Sequence, residues 1–164
     1  MAENYLSDFD RADVDLVVEN ELNRIARYTR HSNPSAVLLA GQPGAGKTVL
    51  SSMLSKAKHD DVFFINADEY RRFHPHYQEL YELYGSDSVQ MTSAFSGAVT
   101  ETLIHALSDE RLHLIIEGTG RTTEVPHRTA ELLAGKGYRV ELAVIAARPE
   151  LSLCSTLLRF YEMN

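Results

Sequence analysis

Cysteine is nearly absent from this chain. Cys154 is the single one in 164 residues, so no disulfide can form within the chain, which suits a reducing compartment. Its neighbours Leu151, Leu153, Leu157 and Leu158 predict a small buried residue rather than a nucleophile. Basic charge is also short: 16 Lys and Arg face 23 Asp and Glu, a net charge of −7. A general nucleic-acid surface needs clustered cations, so no nucleic-acid partner is expected, although a small local basic pocket is still possible. No apolar run approaches the ~20 residues that cross a bilayer. Met1-Ala2-Glu3-Asn4-Tyr5 has none of the marks of a signal peptide. A cytoplasmic protein without a membrane partner is the expectation. His74 and His76 stand two apart and lack a helical metal-ligand spacing, which argues against zinc. There is no Asn-Lys-x-Asp segment of a guanine-specific switch and no protein-kinase signature. Repeats, low-complexity stretches and linkers are missing too. One domain over 1–164, large enough to bury its own core, follows from that.

What is present centres on Gly41-Gln42-Pro43-Gly44-Ala45-Gly46-Lys47-Thr48, preceded by the apolar run Val37-Leu38-Leu39-Ala40. The spacing matches the phosphate-binding loop G-x-x-x-x-G-K-[ST] in full. Gly41, Gly44 and Gly46 let backbone N–H groups turn toward a polyphosphate without Cβ clashes. The helix beginning near Gly46 aims its free N–H groups at the same anion. Lys47 supplies a point charge for β/γ-phosphates, and the Thr48 hydroxyl supplies a hard oxygen ligand for Mg²⁺. ATP and Mg²⁺ are the cofactors this implies.

Hydrophobic periodicity orders the rest. A helix is predicted over residues 9–29, from Val14, Val17, Val18, Leu22, Ile25 and Ala26 at three- and four-residue steps. A first strand covers about Ala36–Ala40, and the helix after the loop runs to about Lys58. Val62–Ile65 is a second strand, Glu79–Tyr84 a helical turn or two, and Ser88–Leu107 a longer helix. Leu112–Ile116 is a third strand. Pro126 opens a helix that Gly135-Lys136-Gly137 stops, Tyr138–Ala146 is a fourth strand, and Pro149 begins a last helix. The alternation predicts an α/β fold of the P-loop NTPase type, a mostly parallel sheet with helices on both faces. In such sheets ligands sit beyond the carboxyl ends of strands.

Three segments follow strands: the loop itself, Asn66–Pro75 and Glu117–Thr123. Asp68 admits two readings from position alone: a base for an attacking hydroxyl, or a helix cap or water-mediated Mg²⁺ contact. Glu117 has the look of a Walker B acid at the end of an apolar strand; Gly118 and Gly120 permit close backbone approach, and Arg121 suits a phosphate. Read blandly, the same stretch is a glycine turn with a Thr122-Thr123 cap. Glu101 reads as a solvated helix charge by composition. Arg71, Arg72, His74 and His76, interleaved with Tyr70, Phe73 and Tyr77, form either a stacking pocket for a nucleotide-like substrate or plain surface.

Taken together, these segments resemble the zeta toxins of bacterial toxin–antitoxin systems, a family of phosphate-loop kinases. The resemblance rests on Gly41–Thr48, Ile65-Asn66-Ala67-Asp68 with His74-Pro75, Thr100-Glu101, and above all Ile116-Glu117-Gly118-Thr119-Gly120-Arg121-Thr122-Thr123 followed by Val125-Pro126. Ala134–Tyr138 and Arg159-Phe160-Tyr161-Glu162 add weaker agreement, and the likeness covers about residues 36–162. It implies an ATP-dependent kinase acting on the 3′-hydroxyl of the amino sugar of UDP-N-acetylglucosamine, which blocks peptidoglycan synthesis. On that resemblance Lys47 and Thr48 serve ATP and Mg²⁺, Asp68 is the base, and Arg159 clamps phosphate. Glu101, Glu117, Gly118, Thr119, Gly120 and Arg121 resemble sugar-nucleotide contacts. A small helical antitoxin is the implied partner, and residues 9–29 are either a private extension or part of its contact. Family members continue well past the point where this chain stops, so the C-terminal part of the family domain is expected to be missing. Asn66 and Ala67 also differ from the more polar pair usual before the catalytic aspartate. Another small-molecule kinase of the phosphate-loop class, or a domain that binds nucleotide or antitoxin without turnover, are the alternatives.

Overall fold

Residues 5–118 and 122–162 are described by a computed structural model. In chain order its elements are α1 (Arg11–Leu22), β1 (Ser35–Gly41), α2 (Lys47–Ala57), β2 (Phe63–Asn66), α3 (Ala67–Tyr70), α4 (Tyr77–Tyr84), α5 (Ser88–Met91), α6 (Ser93–Asp109), β3 (Leu114–Gly118), α7 (Glu124–Gly135), β4 (Arg139–Ile145) and α8 (Pro149–Glu162). Packing groups them into two units. Tyr28–Ile65 with Arg111–Asn164 forms one, and Met1–Arg27 with Asn66–Glu110 the other.

The first unit holds a parallel four-stranded sheet in the order β2-β3-β1-β4. β1 is central, in register with β3 from Ala36↔Leu114 to Ala40↔Gly118 and with β4 from Ser35↔Arg139 to Gly41↔Ile145. Both of its faces are buried, which is why it reads as an unbroken apolar run rather than an alternation. On one face Val37, Leu39, Val62 and Ile115 form a cluster that Leu50 and Leu54 of α2 cover. Burying a side chain such as Leu39 contributes about 1.5–3 kcal/mol, and α2 is held against the sheet by that apolar area. The other face carries Ala36, Leu38, Leu114 and Ile116, all buried. β3 begins two residues later than the apolar pattern predicts and includes Glu117 and Gly118. Leu112 stays buried outside the strand, where its carbonyl accepts the Tyr138 hydroxyl at 2.8 Å.

The second unit is helical, and α6 packs against both α1 and α3. Asp10 caps α1, its side chain accepting from the Asp13 N–H while the Asp13 carboxylate takes the Asp10 N–H. The predicted helix over 9–29 is therefore too long at both ends. It stops at Leu22 because the bonding tightens: the Asn23 N–H reaches Glu19, but Arg24 reaches only Glu21, and a 3₁₀ turn at Ile25–Arg27 follows. The predicted helix over 88–107 is interrupted at Thr92, which takes φ −89° and ψ 0° and turns its buried hydroxyl onto the Ser88 carbonyl at 2.9 Å. Cys154 is exposed, not buried, since α8 leaves its neighbours Leu151, Leu153, Leu157 and Leu158 exposed as well.

Two histidines are locked neutral by the backbone. The Ser35 N–H donates to His113 Nδ1 at 2.9 Å, with the His31 ring stacked on His113 at 3.8 Å and itself bonded to Asp61. In the helical unit the His76 N–H donates to Nδ1 of buried His74, whose Nε2 faces the Ser7 carbonyl. Each Nδ1 must keep its lone pair, and burial holds both pKa values below the ordinary imidazole value of 6.5. The native state then binds fewer protons than the unfolded chain. This stability is complete above about pH 6.5 and is lost as the pH falls through the depressed native values. Thermal melts should show a lower Tm at pH 5.5 than at 7.5. The slope should flatten in His74→Asn with His113→Asn, where Oδ1 replaces the Nδ1 acceptor; an unchanged slope would contradict the assignment.

Candidate active site

The loop between β1 and α2 is built around two glycines. Gly44 and Gly46 take φ +72° and +95°, in the left-handed region that side chains disfavour. Gly46 is the N-cap of α2 and offers no side-chain acceptor, so the first amides and the positive dipole end of α2 are left for an anion. Lys47 is folded back into this cradle. Its ammonium donates to the carbonyls of Gly41 (2.8 Å) and Gln42 (3.2 Å) and lies 3.8 Å from Glu117 Oε1. Both side chains of that pair are mostly buried. Glu117 reaches Lys47 because it sits opposite Leu39 in the β1–β3 register, on the face that α2 covers. An ammonium, a carboxylate and open helix amides thus surround one point at the carboxyl edge of the sheet.

Thr48 stands exposed in the first turn of α2. Its hydroxyl and the Glu117 carboxylate are oxygen donors that suit a hard cation. Among the described residues no group of three His, Cys, Asp or Glu assembles a metal cage. An ion here would take its remaining oxygens from a bound phosphate and water, the habit of Mg²⁺. Thr119, Gly120 and Arg121 lie outside the described residues. Arg159 is described only by its backbone, within α8.

Asp68 and Glu101 belong to the helical unit. The capping role open to Asp68 falls instead to Asn66, whose Oδ1 accepts the Asp68 N–H at 3.0 Å. The Asp68 carboxylate, 62% exposed, takes a bond from Arg71 Nε at 3.0 Å, and Arg71 is itself tied to the Val89 carbonyl. This pairing was missed from sequence although its three-residue helical spacing signals it. The aromatic–basic run is not one surface: Tyr70 and His74 are buried, and burial also raises the Tyr70 phenol pKa, while Arg72 lies over the Phe73 ring at 4.8 Å. Glu101 is exposed on α6.

The two glycines differ in surroundings. A Cβ on Gly46 would meet nothing within 4 Å, whereas one on Gly44 would stand 2.5 Å from the Ser152 carbonyl. Gly46→Ala should cost about 1 kcal/mol of backbone strain. Gly44→Ala adds overpacking and should cost roughly 3 kcal/mol. Urea denaturation of the two variants checks this ranking, and equal costs would contradict it.

The zeta toxin family profile matches residues 19–164. Toxin PezT of Streptococcus pneumoniae is 43% identical over 159 residues, 96% of this chain and 63% of that protein. Toxin zeta of Streptococcus pyogenes is 41% identical over 131 residues, covering 80% of this chain and 46% of that protein. A solved structure from the PezAT chromosomal toxin–antitoxin system of S. pneumoniae superposes with TM-score 0.91 at 42% identity, over 96% of this chain and 66% of that one. A putative kinase from Chloroflexus aurantiacus, 16% identical, shares the fold with TM-score 0.59 over 80% of this chain and 69% of its own. The chain thus spans between about half and two thirds of the length of the curated relatives named here. With the profile running over nearly all of it and relatives at 43% and 41% identity, the chain belongs to the zeta toxin family.

Proposed function

We propose that this chain is the kinase part of a toxin that transfers the γ-phosphoryl group of ATP to the 3′-hydroxyl of the amino sugar in UDP-N-acetylglucosamine, blocking peptidoglycan synthesis. The observation that carries the reading is the phosphate-loop Lys47 set against Glu117 of β3, in a member of the zeta toxin family. Phosphoryl transfer asks the protein mainly for positioning and charge stabilisation. The helix amides and Lys47 take the β/γ-phosphates, Lys47 exchanging the Gly41 and Gln42 carbonyls for phosphate oxygens. When Mg²⁺ is bound, held by the Thr48 hydroxyl, it neutralises charge on those oxygens.

On the acceptor side Asp68 takes the proton of the attacking hydroxyl as the new O–P bond forms and ADP departs with the electrons of the broken bond. Arg71 fixes the carboxylate for this. Glu101, Glu117, Gly118, Thr119, Gly120 and Arg121 are the proposed contacts to the sugar nucleotide, and Arg159 the phosphate clamp. A small helical antitoxin is the proposed partner, in keeping with the toxin–antitoxin system of the structural relative. The protein would act in the cytoplasm, where this sugar nucleotide is made. No helix among the described residues is long and apolar enough to cross a membrane.

Asp68→Asn tests the base. With labelled ATP and a panel of sugar nucleotides and other alcohols, the parent chain should prefer UDP-N-acetylglucosamine. The variant should lose roughly 10²–10⁴-fold in transfer while its ATP affinity stays within a factor of about three, well under the tenfold that 1.4 kcal/mol would bring. Equal transfer by the variant removes Asp68 from the chemistry.

A further inference from the structure

The phosphate loop is fastened along its outer edge to the stretch running from the end of β4 into α8. Four consecutive residues, Gly41–Gly44, meet that stretch, Gly41 through its β1–β4 pairing with Ile145. A Cβ on Gly41 would come within 2.7 Å of the Ile145 carbonyl at the end of β4. The Gln42 side-chain amide donates to the Ala147 carbonyl at 2.7 Å. The Pro43 carbonyl accepts the Ser152 hydroxyl at 2.5 Å. The backbone at Gly44 lies so close to α8 that a Cβ would press on the Ser152 carbonyl (2.5 Å), Thr156 Oγ1 (3.0 Å) and Ser155 Cβ (3.1 Å). That same Ser152 carbonyl accepts the Thr156 hydroxyl at 2.9 Å within α8.

The inner half of the loop is different. Gly46 has open space around it, and the turn is otherwise closed by the Ala45 N–H on the Gln42 carbonyl (3.2 Å) and by the Lys47 ammonium on the carbonyls of Gly41 and Gln42. The ammonium is the one of these ties for which a bound phosphate competes. Two of its three donors serve these carbonyls, and a phosphate that takes more than the third draws Lys47 away from them. Once it turns away, the curvature of Gly41–Gly44 rests on the bonds to the β4–α8 segment.

We infer that Ser152, with the Gln42 side chain, is a positioning residue. It keeps the loop curved when Lys47 leaves the Gly41 and Gln42 carbonyls for a nucleotide phosphate, and Gly44 is glycine because α8 must approach it. This deepens the nucleotide-binding reading of the loop and rests on it. Binding to a preformed cradle avoids the cost of ordering the loop at the moment of binding, so weakening the clamp should weaken affinity without touching the groups that meet the phosphate.

Hydrogen–deuterium exchange of the ligand-free chain tests the clamp independently of any nucleotide. Ser152→Ala should raise amide exchange in residues 42–46 by about tenfold, the factor that 1.4 kcal/mol represents. Strands β1 and β3 should keep their protection. Ser152→Thr, which retains a hydroxyl, should restore it. Titration with a fluorescent ATP analogue and Mg²⁺ should then show a Kd raised several-fold in Ser152→Ala and returned by Ser152→Thr. Unchanged loop exchange in Ser152→Ala overturns the clamp. A clamp that loosens as expected in a chain with no ATP affinity, and none lost in Lys47→Ala, overturns the nucleotide reading instead and takes the proposed role with it.

Discussion

Everything at this site hangs from β1. It is the only strand of the described sheet with paired neighbours on both sides that also runs directly into the phosphate loop. Its two faces are buried, so a one-residue slip against β3 would exchange Val37 and Leu39 for Leu38 and Ala40 on the α2 face. The register that packing enforces also sets Glu117 opposite Leu39, and through that Glu117 meets Lys47. A packing constraint deep in the sheet therefore decides which carboxylate faces the loop ammonium.

Electrostatics follow from that placement. Lys47 and Glu117 are both mostly buried and 3.8 Å apart, a separation at which attraction is felt without a bidentate contact. The ammonium finds its short bonds on carbonyls instead. A cation held by carbonyl dipoles, with its carboxylate partner at 3.8 Å, is more easily surrendered to a phosphate than one locked in a close ion pair. Asp68 shows a comparable design in the helical unit: its backbone is set by Asn66 and its carboxylate by Arg71, while most of its surface stays open to solvent.

The parts legible in the sequence are those written as local pattern. The loop glycines, the apolar run before them and the helix stop at Gly135–Gly137 each carry a spacing with one physical meaning, and all appear where expected. Helix ends were less legible. The break at Leu22 depends on a change in hydrogen-bond span that leaves apolar spacing intact, and the break at Thr92 depends on where one hydroxyl turns. The exposure of Cys154 could not be seen because a leucine-rich stretch predicts burial without saying what covers it. Of the site, Lys47, Thr48 and Glu117 were readable from motif. The bond from Ser152 to Pro43 spans 109 positions of chain and leaves no signal in either segment. Thr119, Gly120 and Arg121 lie outside the described residues, and the part proposed for them rests on the family likeness.

The central claim is that the loop is the donor half of a kinase whose acceptor is a sugar nucleotide. Mass spectrometry of UDP-N-acetylglucosamine after incubation with the chain, ATP and Mg²⁺ tests it most directly. The account predicts a product heavier by one phosphoryl group, with fragmentation placing that group on the amino sugar. Unaltered UDP-N-acetylglucosamine alongside phosphorylation of a different alcohol would contradict it.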